Sequence, residues 1–187
     1  RNDPIAGVTI FIGFKGALSF MSMIDFAALQ AIVFSQKMTS DNTVHGIDHW
    51  NQVESNALLL SRHTGADETV IRLFAIFHDS RRYDDGYDPE HGPRAAEFIT
   101  QCRGNLFVLD DARFDLLYHA CYYHTKEHAS GDKTIDTCYD ADRLDLGRVG
   151  IQPNPEKMAT LYGQKIVKKS KGVPLSEMRE WLNKLTL

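Results

Sequence analysis

All eight histidines of the chain fall between positions 45 and 128. Several adjoin apolar runs that must be buried. His78 and Asp79 end the most hydrophobic stretch, which carries Val70, Ile71, Leu73, Phe74, Ala75, Ile76 and Phe77. An ionised Asp at such a position is costly unless it is paired or bound to a cation. Taken singly, a helix end where His and Asp reach solvent is the simpler reading. Two other places change that balance. His49 opens an apolar helix within His45-Gly46-Ile47-Asp48-His49-Trp50, and Asp142 lies in Tyr139-Asp140-Ala141-Asp142-Arg143-Leu144-Asp145, where acids interrupt an apolar stripe. Imidazoles together with carboxylates suit borderline divalent metals such as Zn, Fe, Mn, Co or Ni. Helices that converge on one site from distant parts of a chain are how bundle metal sites are built.

The elements that would carry these residues are helical. Three-to-four spacing of Phe26, Leu29, Ile32, Val33 and Phe34 predicts a helix over 25–37. A second follows over 49–62, and a third over 68–78 with Asp67 as its cap. The third is apolar on most faces, which marks it as central. Arg81 to Glu90 reads as a polar loop. Further helices are expected from Pro93 to Ile99 or Gln101, over 110–126, over 135–146, from Pro155 to about Lys169 and over 175–185, the last anchored by Trp181. Met158, Leu161, Tyr162 and Ile166 read as core. No alternating strand pattern appears after residue 22, so the fold class is all-α, one domain over 23–187. Residues 1–22 read as an extension of uncertain origin, with Met21 or Met23 as candidate starts. They include the apolar run Val8 to Phe20, interrupted by Lys15 and too short to span a membrane.

Bulk properties bound the rest. The chain has 187 residues, 43% hydrophobic and 25% charged, with a net charge of -4. That balance gives no overall reason to bind nucleic acid or an anionic membrane. A phosphorylated small molecule remains open, because a metal supplies local positive charge that the net count misses. Three cysteines, Cys102, Cys121 and Cys138, form no C-x-x-C pair, which points to a reducing, cytoplasmic setting rather than a disulfide framework. The lysines at 165, 168, 169 and 171 read as a solvated helix end.

A lone His, a His-Asp doublet after an apolar helix and a distant Asp resemble the pattern that names the HD superfamily. Here these are His49, His78-Asp79 and Asp142. The flanks are similar too: Val53 and Asn56 follow His49 on one helix, Phe77-His78-Asp79-Ser80-Arg81-Arg82 looks like the family's helix-end motif, and Asp140 to Pro155 is similar to an uncharacterised bacterial subgroup. The resemblance covers about residues 24–160. It implies an all-helical bundle with a metal in its core, held by His49, His78, Asp79 and Asp142, and usually phosphohydrolase activity on a small phosphorylated metabolite or nucleotide. The ion would be Mn, Fe, Zn, Mg, Co or Ni. A non-hydrolytic alternative on the same scaffold is a di-iron oxygenase or a nucleotide-binding module.

Dinuclear members use further histidines between the doublet and the last Asp. His91 and His124 are the candidates, with Asp79 bridging; alternatively they bind phosphate or His124 acts as general acid. His45 stands four residues before His49, a helical ligand spacing, but Gly46 argues that the helix has not begun there, so His49 is preferred. Asp48 would orient a ligand imidazole or take an acid-base role. Arg81 and Arg82 would fork phosphate oxygens or pair with Asp84 or Asp85, and Arg143 has the same two options. His119 and His128 read as core or surface. Among the acids near Asp142, helical geometry gives the metal bond to Asp142, leaving Asp140 and Asp145 to solvent or structural pairs.

Overall fold

A computed structural model describes residues 24–185; the readings made for residues 1–22 lie outside them. Among the described residues there are eight α-helices and no strand. They are α1 (Phe26–Ser35), α2 (Ile47–Thr64), α3 (Glu68–Phe77), α4 (His91–Cys102), α5 (Asp111–Tyr123), α6 (Lys133–Arg143), α7 (Leu161–Lys169) and α8 (Met178–Leu185). No helix among the described residues is long and apolar enough to cross a membrane.

Helix α3 is the axis. Its residues Val70, Ile71, Leu73, Phe74, Ala75, Ile76 and Phe77 are all buried, and α1, α2, α4, α5 and α6 pack around it. Burial of each large side chain there contributes roughly 1.5–3 kcal/mol. Asp67 caps its start by accepting from the Val70 N–H. The same end holds the start of α6, where Thr134 Oγ1 accepts from the Asp67 N–H and Thr137 Oγ1 donates to Thr64 Oγ1. So α6 runs alongside α3 and against α2. Asn56 fixes that pairing from α2 by donating to the Ala141 carbonyl, 2.9 Å away. With these directions, the start of α2, the ends of α3, α5 and α6 and the start of α4 all reach one end of the bundle.

Several boundaries differ from the sequence reading. The expected helix from Pro155 is split: a 3-10 turn at Pro155–Lys157 precedes α7, which begins only at Leu161. Buried Asp140 causes the break. Its carboxylate accepts from the Ala159 N–H, the Thr160 N–H and the Thr160 hydroxyl at 2.7–2.8 Å, satisfying amides that a continuous helix would have used. Leu161 is therefore 77% exposed rather than core. Helix α6 stops at Arg143 instead of reaching Leu146, and a 3-10 turn covers Leu146–Val149. The last helix begins as a 3-10 turn at Leu175–Glu177, and Met178 and Leu182 anchor it while Trp181 is only partly buried. The four lysines are exposed, as expected, and all three cysteines are free and buried.

Helices α4 and α5 meet backbone to backbone at Gly92. A Cβ there would stand 2.7 Å from the Cys121 carbonyl oxygen and 2.8 Å from that of Tyr122. Carbonyls cannot swing aside as side chains can, so any larger residue pushes the two helices apart. Gly92→Ala is expected to destabilise the fold by about 1–3 kcal/mol, read as a lowered midpoint in urea. An unchanged midpoint would contradict this close approach.

Candidate metal centre

Helix termini deliver almost every functional side chain. His49 lies in the first turn of α2, His78 and Asp79 follow the last turn of α3, His91 opens α4, His124 follows α5, and Asp142 is in the last turn of α6. The ends of α3, α5 and α6 turn the negative pole of the helix dipole toward the centre, which favours a cation there.

The four imidazoles share one orientation rule. His78 Nδ1 lies 3.1 Å from the Phe74 carbonyl, which also accepts from the His78 backbone N–H, and 3.2 Å from that of Ala75 at the end of α3. His124 Nδ1 meets the Cys121 carbonyl at 2.8 Å in the same way. His91 Nδ1 meets the Asp88 carbonyl at 2.5 Å, and His49 Nδ1 meets the Asp145 carboxylate at 2.8 Å. For His49, His78 and His124 the partner is an acceptor only, which assigns the proton to Nδ1; His91 Nδ1 also faces the Arg82 guanidinium, NH1 at 3.1 Å. The Nε2 atoms point inward, in those first three rings as lone pairs. His49 and His78 Nε2 are 3.1 Å apart; His91 and His124 Nε2 are 2.8 Å apart. Facing lone pairs repel unless positive charge lies between them.

Two carboxylates complete the set. Asp142 Oδ1 is 3.3 Å from His49 Nε2 and 3.9 Å from His78 Nε2. Asp79 divides its oxygens. Oδ2 faces His49 Nε2 at 3.4 Å and His78 Nε2 at 3.7 Å, while Oδ1 faces His91 Nε2 at 3.1 Å and His124 Nε2 at 3.8 Å. Atoms bound at about 2.1 Å to one ion lie roughly 3.0–3.4 Å apart at octahedral or tetrahedral angles. The nearer separations match that, so the donor set fits a metal ion. Overlapping triads could hold one: His49, His78 and Asp142; Asp79, His91 and His124; and His45, His49 and Asp79.

Electrostatics describe the same demand. Burial works against a charge on His49, but the carboxylates of Asp142, Asp145 and Asp79 outweigh it and raise its pKa to about 10. His78, fully buried and beside His49, is pushed down to about 3. The pair thus keeps one proton, on His49. Burial opposes ionisation of Asp79 and Asp142 too, yet the surrounding imidazoles hold both carboxyls well below the usual range.

His49, His78, Asp79, Asp142, His91 and His124 therefore come together. His45 joins them from the loop before α2, its Nδ1 2.7 Å from Asp79 Oδ2. The i, i+4 spacing to His49 was its signal, although Gly46 does place it outside the helix. Asp145, too, is buried rather than solvated; it faces His49 because the chain has left α6 by that point, so the helical angle does not apply. Asp48 is exposed on the first turn of α2 and lends its charge to Arg179. Arg82 is buried, with NH1 against the His91 ring at 3.1 and 3.3 Å and its other donors on the Asp84 and Gly86 carbonyls. It bonds the Asp84 backbone, not the carboxylate that the sequence suggested. Arg81 donates to the Gln36 carbonyl and lies over the Phe98 ring. Arg143 ties the carbonyls of Glu127, His128 and Lys157 together. His119 pairs with Glu127, and His128 is exposed.

No family model matches the chain, and neither the curated proteins nor the solved structures include a significant match.

The raised pKa of His49 has a definite sign. In metal-stripped protein its attraction to the carboxylates is fully present below the ordinary histidine value of about 6.5 and is lost as pH rises through about 10. The melting temperature of stripped protein should therefore fall between pH 7 and 10, and His49→Gln should flatten that slope. A metal-loaded sample, with His49 neutral as a ligand, should lack it. Identical slopes in all three samples would contradict the electrostatic reading.

Proposed function

We propose that this chain is a metal-dependent phosphohydrolase of the HD type, acting on a small phosphorylated metabolite or nucleotide. The observation that carries the reading is Asp79, which presents one oxygen to His49 and His78 and the other to His91 and His124. His49, His78, Asp79 and Asp142 would hold one divalent ion, and Asp79, His91 and His124 a second. A divalent ion in such a site lowers the pKa of water and neutralises charge on phosphoryl oxygens.

The protein groups have separable tasks. The Nδ1 hydrogen bonds fix all four rings before substrate arrives, so no reorganisation is required at the moment of reaction. Asp142 is 21% exposed, whereas the other core donors are buried, so substrate approaches from its side. A cleft lined by Thr43, Gly46, Asp48, His49, Arg148 and Arg179 opens beside His49. His124 has its Nδ1 proton committed to the Cys121 carbonyl, which favours a ligand role over that of general acid. Arg82 holds His91 in place and is not free to fork a phosphate.

The same divided carboxylate favours one second reading, a di-iron oxygenase, since that chemistry needs two ions bridged at close range. A phosphatase panel with Mn, Mg, Co and Ni separates the two from each other. Metal-dependent phosphoester hydrolysis is expected, with Asp142→Ala reducing it at least about 10²-fold and Asp140→Ala, assayed below its melting temperature, far less. Metal-loaded protein that hydrolyses no phosphoester, or an Asp142→Ala variant with full turnover, would overturn the hydrolase reading. Oxygen consumption by the iron-loaded form would establish the second.

A further inference from the structure

The C-terminal helix reaches the metal centre through two residues that the ligand set does not include. Arg179, on α8, donates Nε to Asp145 Oδ1 and NH2 to Asp145 Oδ2, both at 2.7 Å. This is a bidentate fork, the most directional of the charged hydrogen bonds. The same Oδ2 accepts from His49 Nδ1 at 2.8 Å, and Asp145 is buried. Arg148 NH1 donates to the Asp145 carbonyl at 3.2 Å and so holds the backbone of that residue as well. Asp145 stands three residues after Asp142, so one turn of chain supplies both a ligand carboxylate and the carboxylate that aims a ligand imidazole.

A second grip lies on the same face of α2. Gln52, one turn after His49, exchanges amide hydrogen bonds with Asn183 of α8 at 3.1 and 3.4 Å. Gln52 also donates to Asn56, which in turn holds the α6 backbone at Ala141. Helix α8 has only eight residues, far below the roughly 12–15 at which an isolated helix persists in water. Its order therefore depends on docking, and its polar docking contacts are made to the residues that aim or flank His49.

We propose that Arg179 and Asp145 are positioning residues for His49, and that through them the docking of α8 and the affinity of the metal centre are coupled. The inference rests on the metal-centre reading above. A metal-bound imidazole usually donates its other N–H to a carboxylate or carbonyl, and loss of that partner weakens metal binding by about 10–100-fold. Coupling is reciprocal at equilibrium: if docked α8 tightens the metal, bound metal must tighten α8. The segment after α7 would then act as a handle by which anything that lifts α8 lowers metal affinity.

The test measures Zn²⁺ and Mn²⁺ dissociation constants by chelator competition in wild type, D145N, R179Q and R179K. It adds the visible spectrum of the Co²⁺-loaded forms and amide hydrogen exchange of residues 178–185 with and without metal. D145N is expected to weaken metal binding about 10–100-fold and to alter the Co²⁺ bands. R179Q should weaken it less, and R179K, which keeps the charge but not the fork, should fall between R179Q and wild type. Metal should slow exchange in α8 of wild type, and R179Q should lose that effect. D140N, which disturbs a buried acid of α6 that holds the start of α7, should lower the melting temperature and leave the metal constants unchanged. If D145N does not fold, R179Q still decides, because Arg179 is 38% exposed and its replacement can be solvated. Wild-type metal constants and Co²⁺ spectra in both D145N and R179Q would overturn the coupling while the metal centre stands. Wild-type protein that takes up no metal would overturn both.

Discussion

Four imidazole Nε2 atoms and two carboxylates face one another over a few ångströms in a place nearly closed to water, and positive charge between them stabilises such a cluster. Much of the fold serves that convergence. Each ring is turned inward because its outer nitrogen meets a fixed acceptor, for His78 and His124 carbonyls in the last turns of α3 and α5. Without a metal, the cluster's remedy is a proton on His49. A single proton offsets two carboxylates poorly, and it does not lie between the second pair of rings, His91 and His124, at 2.8 Å. A divalent cation meets both needs.

That demand explains why α3 is apolar on nearly every face. To bring His78 and Asp79 to the centre of the bundle, the helix leading to them must itself run through the core, and Arg72, paired with Glu54, is the polar side chain in its middle. The surrounding contacts are built to the same end. Gly92 lets α4 approach α5 closely enough for His91 to reach His124. Asp140 ends the 3-10 segment and starts α7, leaving the neighbouring Asp142 as the acid of α6 that turns toward His49. Two acids two residues apart on one helix thus do different work, one structural and one at the site, because a helix turns them to different sides.

Most of this was legible in the sequence where it depended on local periodicity. The apolar run to Phe77 announced a central helix ending in His78-Asp79, and helical geometry singled out Asp142 among the neighbouring acids, the one that faces His49. The sequence was silent where long-range hydrogen bonds decide. Nothing near Pro155 shows that Asp140, nearly twenty residues earlier, takes the amides of Ala159 and Thr160 and splits the helix. Nothing near Asp145 shows that Arg179 will reach it. Gly46 suggested correctly that His45 lies outside α2, but a loop can aim a side chain at Asp79 as well as a helix can, and local spacing cannot reveal that. The arginines show the same limit: Arg81 and Arg143 reach carbonyls distant in sequence and Arg82 those of Asp84 and Gly86, which their place beside the motif residues does not reveal.

Metal stoichiometry tests the central claim most directly. Elemental analysis of protein loaded with excess Mn²⁺ or Fe²⁺ and freed of unbound ion should give two metals per chain, one set by His49, His78, Asp79 and Asp142 and one by Asp79, His91 and His124. Replacing both His91 and His124 with Ala should leave one, and replacing Asp79 with Ala should leave fewer than one. A folded wild-type chain that retains no metal under these conditions would contradict the claim that the cluster exists to hold cations.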